Sequence, residues 1–438
     1  MSTALRQEMV QCLQSMGVWD RCGRRLSLES RAPAVVGRIC DEEPLFETEA
    51  SLGLTAPDRV IRGLAALAMV VEARRVVLAV CADNRELVRR LEQQTHGTRV
   101  ELWSLPAAAP LGARDVLCDL AQLAGKSVAG AGLDRAMVAD AVELEDIGGA
   151  LQGCLPLWRT LSVVGAVGQP AIVRAPLGTS MEHLVQACGG AEVGWVAWRN
   201  GLPRGQRVGQ QDVVELDTRG VLVLPPSHGQ VREATTPLFD RIRRVAAACS
   251  GCRICTDACP VFLSGGDLEP HRVMQAVAAG FGGEGSAGAT GEAPLNAQAC
   301  DGCGVCSALC PARLWPSRIM THLAQDSAEA PTATWTLRPN PDRMGRRLSV
   351  VRLGEVLGLA SYRRPLGTVR LVPDRLVLPP VGPTGGGRLP MVRADERVAP
   401  GDVVALADGR SGEVDLRAPV AGRVVRTDPD DGVVIDVR

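Results

Sequence analysis

Eight cysteines stand in two runs of one spacing: Cys249, Cys252, Cys255 and Cys259 before Pro260, then Cys300, Cys303, Cys306 and Cys310 before Pro311. Each run reads C-x2-C-x2-C-x3-C-P, a pattern that suits thiolate ligation of cubane [4Fe-4S] clusters. Three thiolates two residues apart sit on one tight loop and cap three irons of a cubane. The fourth, about one helical turn on and followed by proline, points away and reaches the other cluster. The spacing predicts one cluster on Cys249, Cys252, Cys255 and Cys310, and a second on Cys300, Cys303, Cys306 and Cys259. Zinc sites come as separated pairs of ligands, and a disulfide framework has no use for two such runs each ending in Cys-Pro. Neither alternative fits.

The rest of the composition narrows the class. A chain of 438 residues is long enough for about three domains. Net charge is −1 with 22% charged residues, so no electrostatic footprint for nucleic acid or an acidic membrane is present. Lys126 is the sole lysine, which reads as a bias of genomic composition. Aromatic residues make up 3%, so the cores must be built from Leu, Val, Ala and Ile. The start is polar and has no apolar secretory segment. The most apolar window, 60–81, is broken by Arg62, Glu72, Arg74 and Arg75, so no membrane span is expected. Eight ligand cysteines in such a chain point to a reducing cytoplasm. The remaining seven (Cys12, Cys22, Cys40, Cys81, Cys118, Cys154 and Cys188) are expected as small buried hydrophobes.

Several elements must carry these loops. Leu5, Met9, Leu13 and Met16 mark one face of an amphipathic first helix. Pro57 and Asp58 open a helix through Val70, and 75–80 reads as a buried strand. Asp83 or Asn84 caps a helix to Gln94, and 99–103 is a second strand. Strand, capped helix and strand predict a βαβ unit and a parallel sheet in 1–150. No G-x-G-x-x-G or Walker loop accompanies it. Short strands around one helix near 181–187 predict a small α+β module of the β-grasp kind in 151–235. Residues 236–326 form a helical two-cluster domain with a Gly/Ala-rich insertion at 276–293, and 327–375 reads as a linker. The tail, 376–438, is a β domain of the lipoyl or barrel-sandwich type. With no lysine beyond Lys126, it cannot carry lipoate or biotin. The expected fold class is therefore α/β plus α+β, multidomain.

The cluster spacing resembles that of bacterial two-cluster ferredoxins, and a wider resemblance covers most of the chain. The segment 268–274, Leu-Glu-Pro-His-Arg-Val-Met, is similar to one in the PduS-type cobalamin reductases of propanediol-utilising microcompartments. The stretch 351–365 and the Gly/Val-rich tail are similar too. The RnfC component of the Rnf electron-transport complex and the flavoprotein subunit of respiratory NADH dehydrogenase are related. Asp41-Glu-Glu-Pro-Leu45 resembles their Glu-Cys-Glu-Pro-Leu segment in a Rossmann-like flavin domain, and 164–168 with 175–179 resembles their SLBB (β-grasp) domain. The family carries a Gly-rich loop after the first helix, where backbone amides approach a flavin phosphate. Here 17–26 reads Gly-Val-Trp-Asp-Arg-Cys-Gly-Arg-Arg-Leu, and the expected Asn before the acidic segment is absent, with Arg38 near its place.

The resemblance, with this departure, implies an oxidoreductase component with two [4Fe-4S] clusters and no FMN. It relays electrons from a flavoprotein or ferredoxin partner to an acceptor such as cobalamin, in the cytoplasm or inside a bacterial microcompartment. Two other readings stay open: an NADH- and FMN-dependent cob(II)alamin reductase, and a scaffold subunit whose clusters are structural. A cobalamin-dependent enzyme or a microcompartment component is then a further partner. No catalytic side chain is assigned.

Overall fold

A computed structural model describes residues 3–15, 31–110, 114–126, 136–280, 294–325, 339–382, 385–408, 414–430 and 432–437. The first unit is a four-stranded sheet of β1 (Ala34–Ile39), β2 (Arg75–Cys81), β3 (Val100–Leu105) and β4 (Met137–Asp140). Its order is β3-β2-β1-β4, and every pairing is parallel. Parallel strands are covered on both faces, which is why β2 is an unbroken Val-Val-Leu-Ala-Val run. The helix Arg85–Thr95 crosses from β2 to β3, capped by Asn84, whose Oδ1 accepts from Leu87 N at 3.1 Å. The helices Pro57–Val70 and Ala141–Ala150 meet backbone to backbone. A Cβ on Gly63 would lie 1.9 Å from Leu144 O, and one on Gly148 2.1 Å from Arg59 O, so only glycine fits at that crossing.

The second sheet holds β5 (Trp158–Gly165), β6 (Ala171–Pro176), β7 (Val196–Arg199), β8 (Gln206–Val208), β9 (Gly220–Leu224) and β10 (Gly367–Arg370), in the order β10-β6-β5-β9-β7-β8. The helix Met181–Ala187 packs with it, started by Ser180, whose Oγ accepts from His183 N. Trp198 is 1% exposed and serves as a core residue, with Trp195 partly buried against a neighbouring cluster. β10 arrives from the stretch read as a linker. That stretch also contains the helix Val350–Val356, and Leu348 O accepts from Ala109 N at 2.8 Å.

The tail makes two more sheets. β11 (Arg375–Leu378), β17 (Gly432–Asp436), β16 (Gly422–Asp428) and β13 (Arg397–Val398) form one. β12 (Arg388–Pro390), β14 (Val403–Ala407) and β15 (Leu416–Arg417) form the other. One apolar core joins Val163, Val173, Leu184 and Val223 of the six-stranded sheet to Val404, Val424 and Ile435 of the tail. Between these units lies a set of short helices around the two cysteine runs. No helix among the described residues is long and apolar enough to cross a membrane.

Candidate metal centres

The two cysteine runs have the same backbone. Gly251 and Gly302, two residues after the first cysteine of each run, are left-handed at φ +67° and +69°. Arg253 and Gly304, each one residue after the second cysteine, are left-handed at +71° and +74°. Short helices follow, Ile254–Asp257 and Val305–Leu309. The hydroxyl after each third cysteine then accepts a backbone N–H from the first turn of a later helix. Thr256 Oγ1 accepts from His271 N at 2.9 Å, at the start of Pro270–Ala278. Ser307 Oγ accepts from Ser317 N at 3.0 Å, at the start of Pro316–Gln325. The repeat therefore extends beyond the cysteines: Pro-His-Arg-Val-Met at 270–274 matches Pro-Ser-Arg-Ile-Met at 316–320, with Met274 and Met320 both 1% exposed. This internal pairing was visible in the sequence once proline was used as the register mark.

Thiols of the two runs lie within electrostatic reach of one another. Burial pushes the Cys255 thiol up to about 12, and the neighbours that add to this are Cys310, Cys252 and Cys249. These four line one cavity, closed on its other sides by His271, Met274, Leu314 and Pro316. Cys259 is likewise pushed to about 12, mainly by burial, with Cys300 beside it. Cys303 and Cys306 are both raised by burial and both feel Cys259. Cys255 thus has Cys249, Cys252 and Cys310 as neighbours, and Cys259 has Cys300, Cys303 and Cys306, while Cys306 also feels Cys255. Their burial differs: Cys252 is exposed, whereas Cys259, Cys303 and Cys306 are buried.

The residues fit an iron–sulphur cluster. Backbone amides already point at sulphur, from Gly302 N to Cys300 Sγ at 3.4 Å and from Leu314 N to Cys310 Sγ at 3.5 Å. The raised thiols mean that iron must displace protons, so cluster assembly releases them. His271 lines the first cavity. Its Nδ1 shares a hydrogen bond with the Thr256 hydroxyl at 2.8 Å, and that oxygen also accepts from His271 N. Burial holds this imidazole below its ordinary value, in the neutral form. Of the other cysteines, Cys40 and Cys188 are buried as expected of small hydrophobes, whereas Cys12, Cys81 and Cys118 are only half-buried. Cys154 is exposed, because it follows the turn after Ala141–Ala150, and Cys22 lies outside the described residues.

Gly304 joins the second run to the six-stranded sheet. A Cβ there would lie 2.4 Å from Pro203 Cβ and Cγ. Gly304→Ala should cost about 2–5 kcal/mol, combining the left-handed penalty with overpacking. Arg253→Gly, at the twin position in open surroundings, should stay within about 1 kcal/mol of the parent, since backbone relief offsets lost surface ion pairs. Chemical unfolding of both variants, with iron counted, checks the contrast.

The carboxyl end of the parallel sheet is filled by charge. Arg38, at the end of β1, is 3% exposed and pairs with Glu42 at 3.1 Å and Glu49 at 2.7 Å. Arg219 Nε donates to Asp140 Oδ2 at 3.0 Å, and Arg204 pairs with Glu42 and lies 3.9 Å from Glu43. Burial pushes Asp41 up to about 6 against the N–H groups of Ala50 and Glu49. Burial also pushes Glu43 to about 7 against the pull of Arg204. Both folded values lie above those of an unfolded carboxyl, so the folded state holds these protons more tightly. The resulting stability is full below about pH 4 and is lost as pH rises through about 6 to 7. The thermal midpoint should therefore fall between about pH 5.5 and about pH 8, and Asp41→Asn with Glu43→Gln should flatten that decline. An unchanged slope in the double variant would remove these two groups from the account. The expected departure from a glycine nest at 17–26 lies outside the described residues.

Residues 248–315 match the 4Fe-4S dicluster domain. The chain is 28% identical to cobalamin reductase PduS of Salmonella typhimurium over 392 residues, covering 87% of this chain and 85% of the relative. It is also 28% identical to cobalamin reductase PduS of Citrobacter freundii over 424 residues, 94% and 90% of the two chains. A shorter stretch of 153 residues, 34% of this chain and 33% of the relative, is 22% identical to a component of the proton-translocating ferredoxin:NAD(+) oxidoreductase complex of Clostridium ljungdahlii. The chain is thus similar to these reductases over most of its length, and its iron–sulphur region is of the electron-transfer type.

Proposed function

We propose that this protein relays single electrons through two [4Fe-4S] clusters, one on Cys249, Cys252, Cys255 and Cys310 and one on Cys259, Cys300, Cys303 and Cys306. The observation that supports the reading most is that Cys255 has Cys310 of the other run as a neighbour, and that Cys259 has Cys300 and Cys306. Each cluster supplies one-electron storage at a potential set by its surroundings. The chain's own part is to bury one site, expose the edge of the other at Cys252, and aim amides and a neutral imidazole at them. Electrons from a flavoprotein or ferredoxin partner enter or leave at the exposed site.

The acceptor we assign is cobalamin, on the likeness to the cobalamin reductases. The six-stranded unit is read as β-grasp (SLBB) and the tail as a barrel-sandwich surface for docking, with the protein in the cytoplasm, free or inside a microcompartment. FMN is left out of this reading. In open parallel sheets ligands lie beyond the carboxyl ends of the strands, and here Arg38, Glu42 and Glu49 occupy the end of β1. The second reading, a complete NADH- and FMN-dependent cob(II)alamin reductase, is favoured by the length over which the likeness to those reductases runs. Protein reduced anaerobically with dithionite and freed of excess reductant should be reoxidised by cob(II)alamin. Failure of that reoxidation, with the clusters intact, removes cobalamin as the acceptor.

A further inference from the structure

Arg347 has no part in the sites described above. It is reached from 339–348, a stretch distant in sequence from the cysteines that folds back over the helix Pro260–Leu263. Asn340 N donates to Leu263 O at 3.0 Å, which fixes the segment there. The Arg347 side chain is 3% exposed. One nitrogen, Nη2, is satisfied: it pairs with Asp119 and donates to Ser264 Oγ at 2.8 Å. Arg343 braces the same carboxylate at 2.7 Å. The other two nitrogens, Nε and Nη1, are buried and have no hydrogen-bond partner among the described residues. A guanidinium stays charged in a protein, and leaving its donors buried and unpaired costs about 1–3 kcal/mol or more. The guanidinium lies within electrostatic reach of the Cys259 thiol, itself 5% exposed.

An acceptor that arrives after the polypeptide has folded would explain this arrangement. A cluster held by Cys259, Cys300, Cys303 and Cys306 brings sulphur acceptors and net negative charge to that place. We infer that the two orphaned donors of Arg347 serve that buried cluster, through its sulphurs, and raise its reduction potential relative to a site without them. A reduced cluster carries one more negative charge than an oxidised one, so a fixed cation and N–H donors favour the reduced form. Asp119 moderates the effect from the far side of the guanidinium. Arg347 is thus a positioning and tuning residue, and through Asp119 it ties the cluster's potential to the seating of the α/β domain.

This inference rests on the two-cluster reading above, and the test separates the two. The full-length protein, prepared anaerobically, is titrated potentiometrically and followed by EPR, with iron counted in each sample. In Arg347→Met one of the two midpoints should move to more negative potential while the other stays. Arg347→Lys, which keeps charge but not the fork of donors, should fall between Met and the parent. Asp119→Asn removes the opposing negative charge and should move the same midpoint the other way. A purely structural residue would lower stability in all three variants with no opposed shifts. If Arg347→Met does not fold, the Asp119→Asn and Arg347→Lys shifts still decide. Unchanged midpoints in folded variants with full iron would overturn the inference and leave the relay standing. Parent protein without iron–sulphur clusters would overturn the relay itself.

Discussion

Replacing Cys255 by alanine should remove at least half of the iron, from about eight per chain to about four or fewer, since each cubane holds four. Cys255 sits among Cys249, Cys252 and Cys310, so its loss leaves one site with three thiolates. The damage should spread, because Cys306 of the other site also feels Cys255 and because Cys310 closes the first site from within the second run. The variant should therefore lose the signal of one cluster and lower the thermal stability of the remainder. Cys154→Ala, on an exposed thiol remote from both runs, should keep its iron. Iron assay and visible absorption after anaerobic reconstitution provide the readout. Full iron in Cys255→Ala would exclude it as a ligand, and zinc in place of iron in the parent would exclude cubanes altogether.

The second large effect is negative. The isolated protein should yield no stoichiometric flavin on acid extraction and should oxidise NADH no faster than buffer. Within the described residues this expectation rests on Arg38. Its guanidinium is held by Glu42 and Glu49 at the strand end where a ring system would need room. Two residues account for this: Arg38 stands near the place of an Asn, and Glu42 takes the place of the Cys in the Glu-Cys-Glu-Pro-Leu segment of the families it resembles. Together they form an ion pair that neither would make alone. Breaking it by Arg38→Asn leaves the buried Glu49 without its cation, while Glu42 keeps Arg204, at a cost of about 3–5 kcal/mol. About one FMN per chain, or bleaching of the visible band by NADH alone, would instead make this chain a complete reductase.

Much of the site was legible because its chemistry is local. Cysteine spacing is set by the loop that wraps a cubane, so the iron–sulphur character of 248–315 could be read from the sequence. The βαβ unit at β2 and β3 was legible for a similar reason, since Asn84 caps the helix that separates two apolar runs. What escaped depends on chain segments far apart. β10 joins β6 by parallel pairing, from Gly367 against Ala171 to Arg370 against Arg174, and nothing in Gly-Thr-Val-Arg announces that partner. The tail shares a core with the six-stranded sheet, which short β runs alone do not reveal. Arg347 reads as one more surface arginine in Gly-Arg-Arg-Leu until the fold turns it inward beside Cys259.

Spin counting tests the central claim most directly. The full chain is reduced anaerobically with dithionite at low potential, frozen, and its EPR signal integrated against iron content. Two adjacent cubanes predict about two spins per chain, with the broadening that magnetic contact between neighbouring clusters produces. About one unbroadened spin, or none in protein that retains its iron, would contradict a two-cluster relay.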